Sequence, residues 1–234
     1  MLRSPDDFHR INPYTQWIYD HEANLLPEPT PGELARRRAA VPLPDDGRLH
    51  VELGCGSGNF LIQMAHAHPR DHFVGFELRF KRLVKSARKL EREGIRNVWL
   101  LRERAENFAD YFAPNSVHRV YIHFPDPWPK RAHWKKRMVS AAFLDDLHRI
   151  LAPDGLFHLK TDHSGYFLHV LSLLRTRRDW KIHGFSNDLR HWYSVANGSY
   201  PAVRTEFEQM FLSRRKPIYY LALRKRTDDT ERAF

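Results

Sequence analysis

Residues 49–60 read "LHVELGCGSGNF", and the fold follows from how this run changes character. Leu49 to Gly54 is a short apolar stretch between Gly47 and Gly54, which predicts a β-strand over 49–54. Gly54, Gly56 and Gly58 then stand at alternate positions, where glycine lets the chain turn tightly and lets a ligand approach the backbone. The segment "NFLIQMAHAH" (59–68) continues at helical spacing. A strand that turns on glycines directly into a helix is the first half of a βαβ unit.

The alternation repeats along the chain. Strands are expected at 72–78, 97–101, 117–124, 155–162, 180–185 and 217–225, and helices at 81–94, 138–151 and 165–176. Leu83, Val84, Ala87 and Leu90 share one face of the helix at 81–94, with Gly94 as its C-cap, and Pro153-Asp154-Gly155 stops the helix at 138–151. This order predicts an α/β fold with a doubly wound, mostly parallel sheet. Residues 1–47 form a proline-rich extension ahead of one domain over 48–234. Within the extension Thr30-Pro31-Gly32-Glu33 reads as a capping box ahead of a short basic helix, "ELARRRAAV".

With 42% hydrophobic and 13% aromatic residues among 234, the chain can build a sizeable core. Its net charge of +10 points to a polyanionic partner, nucleic acid ahead of anionic lipid. A single cysteine, Cys55, excludes a disulfide framework and a cysteine-rich zinc site, and fits a reducing cytoplasm. No apolar run approaches a membrane span, no signal core opens the sequence, and the fifteen histidines form no HExxH pattern, so neither membrane nor metal is expected.

In a doubly wound sheet, ligands bind beyond the carboxyl ends of the strands. The loop after the first strand is GxGxG, with Asn59 where a dinucleotide fingerprint would carry its last glycine. Glu77 ends the second strand, 25 residues after Glu52, where a carboxylate accepts both ribose hydroxyls and repels a 2'-phosphate. Glu52 precedes the glycines. A carboxylate there is a poor neighbour for a pyrophosphate and a good one for an ammonium or sulfonium, which favours S-adenosylmethionine over NAD. Cys55 reads as a small side chain in a tight turn rather than a nucleophile.

The fourth strand runs into "FPDPWPKRAHWKKRM" (124–138). Pro125, Pro127 and Pro129 exclude a helix interior or a central strand, so this is a shaped loop holding Asp126 and Trp128 at the mouth of the same crevice. Trp128 either stacks on a base or braces the loop. Lys130, Arg131, Lys135, Lys136 and Arg137 are placed to neutralise phosphates. They stand just before the expected helix at 138, where cations oppose the macrodipole, and that local cost favours a functional role.

Together these stretches resemble the tRNA (guanine-N7) methyltransferase family of class I S-adenosylmethionine enzymes. The matching segments are "VELGCGSGNF" (51–60), "FVGFEL" (73–78), "FPDPWPKRAHWKKR" (124–137), "LKTD" (159–162) and "TEFE" (205–208), in the family's order from about residue 50 to 225. The resemblance implies a Rossmann-like domain, tRNA as partner and S-adenosylmethionine as cofactor. It places Glu52, Gly54, Gly56, Gly58, Glu77, Arg104, Ala105 and Asp126 on the cofactor side, with Asp126 at the reacting atoms. It places Lys130, Asp162, Thr205, Glu206, Phe207 and Glu208 on the substrate guanosine, which in the family lies in the variable loop. One departure stands out. Where the family carries an acidic residue before alanine, near the adenine, this chain has Arg104 before Ala105, leaving Glu103, Glu106 or a backbone N–H for that contact.

Guanine N7 carries a free lone pair and needs no deprotonation, so such an enzyme has only to position the reactants and accommodate charge. Asp162 would accept from guanine N1–H and the N2 amino group, a pair that adenine lacks; its alternative role is to cap the next helix. Two other readings use the same residues: a methyltransferase for another base or a protein side chain, and a non-catalytic RNA-binding module that keeps the fold.

Overall fold

The computed structural model describes residues 25–26, 47–192 and 203–226. Each apolar run expected as a strand pairs into one sheet: β2 (Leu49–Leu53), β3 (His72–Phe76), β4 (Val98–Leu101), β5 (Val117–His123), β6 (Leu151–Thr161), β7 (Trp180–Ser186) and β8 (Tyr219–Lys225). A two-residue strand, β1 (Leu25–Leu26), joins its edge beside β4. The order is β1-β4-β3-β2-β5-β6-β8-β7, with β8 antiparallel to both its neighbours and the other pairings parallel.

Helices α1 (Asn59–Ala67) and α2 (Phe80–Arg92) bury Phe60, Leu61, Leu83 and Leu90 in one core cluster. Helices α3 (Ala141–Ile150) and α4 (Ser164–Leu174) bury Phe143, Leu147, Tyr166 and Phe167 in another. A smaller cluster gathers Leu189 of α5 (Leu189–Trp192) and Phe211 of α6 (Glu206–Ser213) against Tyr220 and Ala222 of β8. The doubly wound, mostly parallel sheet expected from the sequence is therefore present. Because β3 pairs with one side of β2 and β5 with the other, the strand order reverses there, and a crevice opens beyond the carboxyl ends of β2 and β5.

Several boundaries differ from expectation. Helix α3 starts at Ala141 with Ser140 as N-cap, its Oγ accepting from Phe143 N at 3.1 Å, and not at 138. The cationic run instead forms its own 3-10 turn, Arg131–Lys136, so it does not abut the helix and the macrodipole argument for its role falls away. Strand β6 begins at Leu151 and runs through Pro153-Asp154-Gly155, where its pairing with β5 shifts register. A 3-10 turn over Ala105–Tyr111 and helices α5 and α6 also lie in stretches without a helical expectation. The capping box at 30–33 and the basic helix after it lie outside the described residues.

Gly75 of β3 shows how closely α1 and the glycine turn are pressed onto the sheet. A Cβ there would sit 2.6 Å from Leu61 Cδ1 and 2.7 Å from Cys55 Sγ. Overpacking of this kind costs about 1–3 kcal/mol. Gly75→Ala is expected to lower the thermal midpoint by roughly 2–4 °C per kcal/mol for a domain of this size. An unchanged melting curve would show that the turn yields without cost.

Candidate active site

The glycine turn is fixed at the carboxyl end of β2 by sterics and by backbone hydrogen bonds. Gly58 has φ of 74°, and a Cβ there would lie 1.9 Å from Ser86 Oγ, so only glycine fits. Gly54 N and Cys55 N both donate to Phe76 O, at 2.8 and 2.9 Å. The next residue, Glu77, is buried, and its carboxylate accepts from Gly56 N at 3.0 Å and from Arg79 N at 2.7 Å. A carboxylate has about four lone-pair sites, so acceptor capacity remains on both oxygens.

A cavity of about 790 Å³ opens here. Of the sequence-predicted residues, Gly54, Glu77, Arg104, Ala105, Asp126, Lys135, Lys136 and Phe207 line it. Sequence reasoning missed Arg79, Arg82 and His123, which also line it; a lone histidine ending a strand and two arginines opening a helix carry no periodic signal. Arg104 faces the cavity with an exposed side chain, 3.6 Å from Glu106 Oε1. Glu103 accepts from Arg104 N, Asn107 Nδ2 and Tyr111 OH, at 2.6, 3.0 and 2.9 Å, and so anchors the following turn. Cys55 is buried and its thiol is pushed well up by that burial, with Glu52 and Glu77 adding to the shift, so it is not a nucleophile.

Glu52 departs from the sequence reading. It is buried beneath the cavity, with Oε1 2.8 Å from His123 Nδ1. Burial pushes the Glu52 carboxyl up to about 8, with the Glu77 charge adding to the shift. Burial, then the Lys160 and His158 charges, hold His123 well below the usual imidazole range. Both shifts favour the uncharged forms, so the contact is a neutral hydrogen bond at pH 7 rather than an ion pair.

The proline loop is a clamp around one cation. Phe124 and Trp128 have φ of 53° and 42°, a region that bulky side chains rarely adopt. Arg137 is buried, not exposed for phosphates as the sequence suggested. Its Nε donates to Pro127 O at 3.0 Å, Nη2 to Trp128 O at 3.5 Å and Nη1 to Gly165 O at 3.3 Å. The guanidinium also lies over the rings of Trp134 (4.6 Å) and Tyr166 (5.4 Å). Trp128 packs edge-on against His133 at 5.7 Å and carries Lys136 over its face at 4.7 Å, so it braces the loop while lining the cavity. Asp126, Lys130, Arg131, Lys135 and Lys136 are exposed around it.

The late "TEFE" stretch divides its labour. Thr205 and Glu208 form a complete capping box at the start of α6, and Glu208 is wholly buried against Lys160, Oε2 to Nζ 2.6 Å. Glu206 reaches the glycine turn, and Phe207 alone of the four lines the cavity, packed against Phe124 and Phe211. Asp162 is half-buried after β6. It does not cap α4: that role belongs to His163, whose Nδ1 accepts from Tyr166 N at 3.0 Å. Among the described residues no cluster of His, Cys, Asp or Glu could hold a metal, and no helix is long and apolar enough to cross a membrane.

Comparison with known proteins shows that the chain is similar to methyltransferases. The family model described as "Putative methyltransferase" matches residues 46–221. The chain is 38% identical over 179 residues to a bifunctional glycosyltransferase/methyltransferase of Fusobacterium nucleatum, a match covering 76% of this chain and only 27% of that longer protein. It is 36% identical over 210 residues to the tRNA (guanine-N(7)-)-methyltransferase of Geobacillus kaustophilus, covering 90% of this chain and 89% of the relative. Among solved structures, an antibiotic-related methyltransferase shares the fold with a TM-score of 0.57 at 16% identity, over 87% of this chain and 98% of that one.

The state of Glu52 has a measurable consequence. Its folded value, about 8, lies above its unfolded value. The stability it contributes is therefore fully present below the ordinary carboxylate range and is lost as pH rises toward 8. Glu52→Gln keeps a hydrogen-bonding partner for His123 but cannot ionise. Between pH 5 and 8 the wild type is expected to lose stability relative to this variant, by up to about 1.4 kcal/mol per pH unit. Urea unfolding of both proteins across that range checks it. A constant difference would mean that Glu52 is ionised in the folded protein.

Proposed function

The chain belongs to the tRNA (guanine-N7-)-methyltransferase family, and on that premise we propose that it transfers a methyl group from S-adenosylmethionine to N7 of a guanosine in tRNA, by resemblance the variable-loop guanosine. The observation that carries this reading is that the Glu77 carboxylate, held by Gly56 N and Arg79 N, and Asp126 of the proline loop line one cavity.

The residues fit the methyl donor. Gly54 and Gly56, both at positive φ with no crowding at their Cβ positions, leave room for close approach, and Glu77 keeps acceptors for two ribose hydroxyls. Glu52 Oε2 is buried without a hydrogen bond, so an approaching cation would find a carboxyl ready to give up its proton. S-adenosylmethionine supplies an electrophilic methyl group on a positively charged sulfonium.

Guanine N7 attacks through a lone pair it already has, so no residue must remove a proton. Asp126 and Glu77 provide negative charge beside a base that becomes cationic. Asp162 reads N1–H and the N2 amino group, and Phe207 offers an aromatic face at the cavity wall. N7 lies in the deep, narrow groove of an A-form duplex, so the target sits in a loop or is extruded. Lys130, Arg131, Lys135 and Lys136 hold the flanking phosphates. In this reading 48–234 is the methyltransferase domain, 1–47 its extension, and the reducing cytoplasm its place of work.

Incubation with labelled S-adenosylmethionine and unmodified tRNA, followed by nucleoside mapping, tests the assignment. The wild type is expected to yield 7-methylguanosine. Asp162→Ala should yield almost none while cofactor affinity measured by calorimetry stays within about twofold. Label on another nucleoside, or wild-type transfer by the variant, would refute the base-reading scheme.

The cations make a separate prediction. Replacing Lys135 and Lys136 by alanine should reduce the slope of log K for tRNA against log salt by about 1.4–1.8, at 0.7–0.9 per lost phosphate contact. Arg137→Ala should leave that slope nearly unchanged, because its guanidinium is buried against carbonyls. Equal changes in both variants would return Arg137 to the phosphate set.

A further inference from the structure

Glu206 stands next to residues that face the cavity and the core, yet its own carboxylate turns to the glycine turn 149 residues earlier in the chain. It accepts from Ser57 Oγ at 3.2 Å and from Asn59 Nδ2. Asn59 Oδ1 in turn accepts from Lys89 Nζ, which also donates to Ser57 O at 3.1 Å. The Asn59 amide thus bridges a carboxylate on α6 to an ammonium on α2, across the turn that carries Gly56 and Gly58. Two further contacts tie down residues 203–205, the strap that precedes Glu206. Gln63 Nε2 of α1 donates to Arg204 O at 3.5 Å and to Asn59 O at 3.0 Å, and Val203 packs against the core under α1 and α2.

The strap leads directly into α6. Its second residue, Phe207, lines the cavity, and Glu208 grips Lys160, two residues before Asp162. One side of the latch therefore touches the turn that approaches the methyl donor, and the other carries the wall that receives the base. We infer that the Lys89–Asn59–Glu206 latch, with Ser57, couples occupancy of the two subsites, so that the bound methyl-donor nucleoside and the bound tRNA each favour the other. Glu206 acts here as a positioning residue and not as a ligand of the guanosine. This rests on the proposed methyl transfer to tRNA. The physical basis is entropic: a ligand that fixes the glycine turn also fixes the start of α6, so the second ligand has less ordering to impose. The coupling is reciprocal by linkage.

The Glu206 contacts of the latch are exposed and those of Lys89 part-buried, so breaking the Glu206 side should not unfold the chain. The test measures binding of S-adenosylhomocysteine, which cannot react, by calorimetry with and without saturating unmodified tRNA. The wild type is expected to bind it at least about fivefold more tightly with tRNA, at the lower end of ordinary coupling. In Glu206→Ala that factor should fall to within twofold of one. Asn59→Asp sets two carboxylates against each other and should do the same. Combining Asn59→Asp with Glu206→Gln reverses the polarity of the bridge, because the amide then donates from α6 to a carboxylate on α1, and should restore the coupling. A wild-type factor of one, full coupling in Glu206→Ala, or failure of the double variant to recover would overturn the latch while 7-methylguanosine still forms. Absence of 7-methylguanosine from the wild-type reaction would overturn the functional reading and the latch with it.

Discussion

The ion pair between Lys160 and Glu208 organises the site. Both side chains are wholly inaccessible, with Nζ and Oε2 2.6 Å apart. Burial pulls the Lys160 ammonium down to about 8, and the Glu208 charge opposes that pull. Charges are kept in such a place only when each has its partner: removing one leaves the other buried alone, at a cost of about 3–5 kcal/mol. Through this pair β6, α6 and the proline loop share one anchor. The Lys160 backbone oxygen accepts from Phe124 N at 2.8 Å, where the loop begins, and Glu208 closes the capping box of α6. Asp126, Asp162 and Phe207 all take their positions from the elements joined there.

A second anchor holds the loop itself. Its three prolines remove backbone donors, and Phe124 and Trp128 occupy positive φ. Such a segment does not hold its shape through its own hydrogen bonds. Arg137 supplies them from outside, with donors to carbonyls at both Pro127 and Trp128 and a third to Gly165 at the start of α4. The guanidinium suits this role because its planar fork reaches several carbonyls at once while stacking on aromatic rings. The run of cations is thus two populations, exposed ones at the cavity rim and one that builds the loop.

The charges around the cavity are held by the fold itself. Glu52 and His123 hold each other neutral in the core of the sheet, and Glu77 is kept in place by two backbone N–H groups. Glu77 therefore stands at the cavity wall, while Glu52 is buried and uncharged. Arg104 sits exposed at the rim beside Glu106. Glu103 beside it is engaged in its own turn, accepting from Arg104 N, Asn107 and Tyr111.

By itself the sequence determined the alternation of strands and helices, the glycine turn, the acid at the end of β3 and the shaped loop after β5. These are local facts: period, steric permission at glycine, and the missing N–H of proline act over a few residues. It did not determine what the charged side chains do, because a charge has no role until its neighbours are known. Arg137 looked like Lys135 and Lys136, yet it is buried. Glu52 looked like a free carboxylate, yet it shares a hydrogen bond with a histidine that nothing nearby in the chain announces. Thr205 to Glu208 looked like one binding stretch, yet a helix start sends its four side chains to a cap, a glycine turn, the cavity and a buried lysine. The short strand β1 and the boundary of β6 were likewise settled by pairing with distant strands. Tertiary structure decided these points because burial and pairing join residues distant in the chain, 28 positions apart for Arg137 and Gly165, 71 for Glu52 and His123 and 149 for Glu206 and Ser57, which only the closed fold brings into contact.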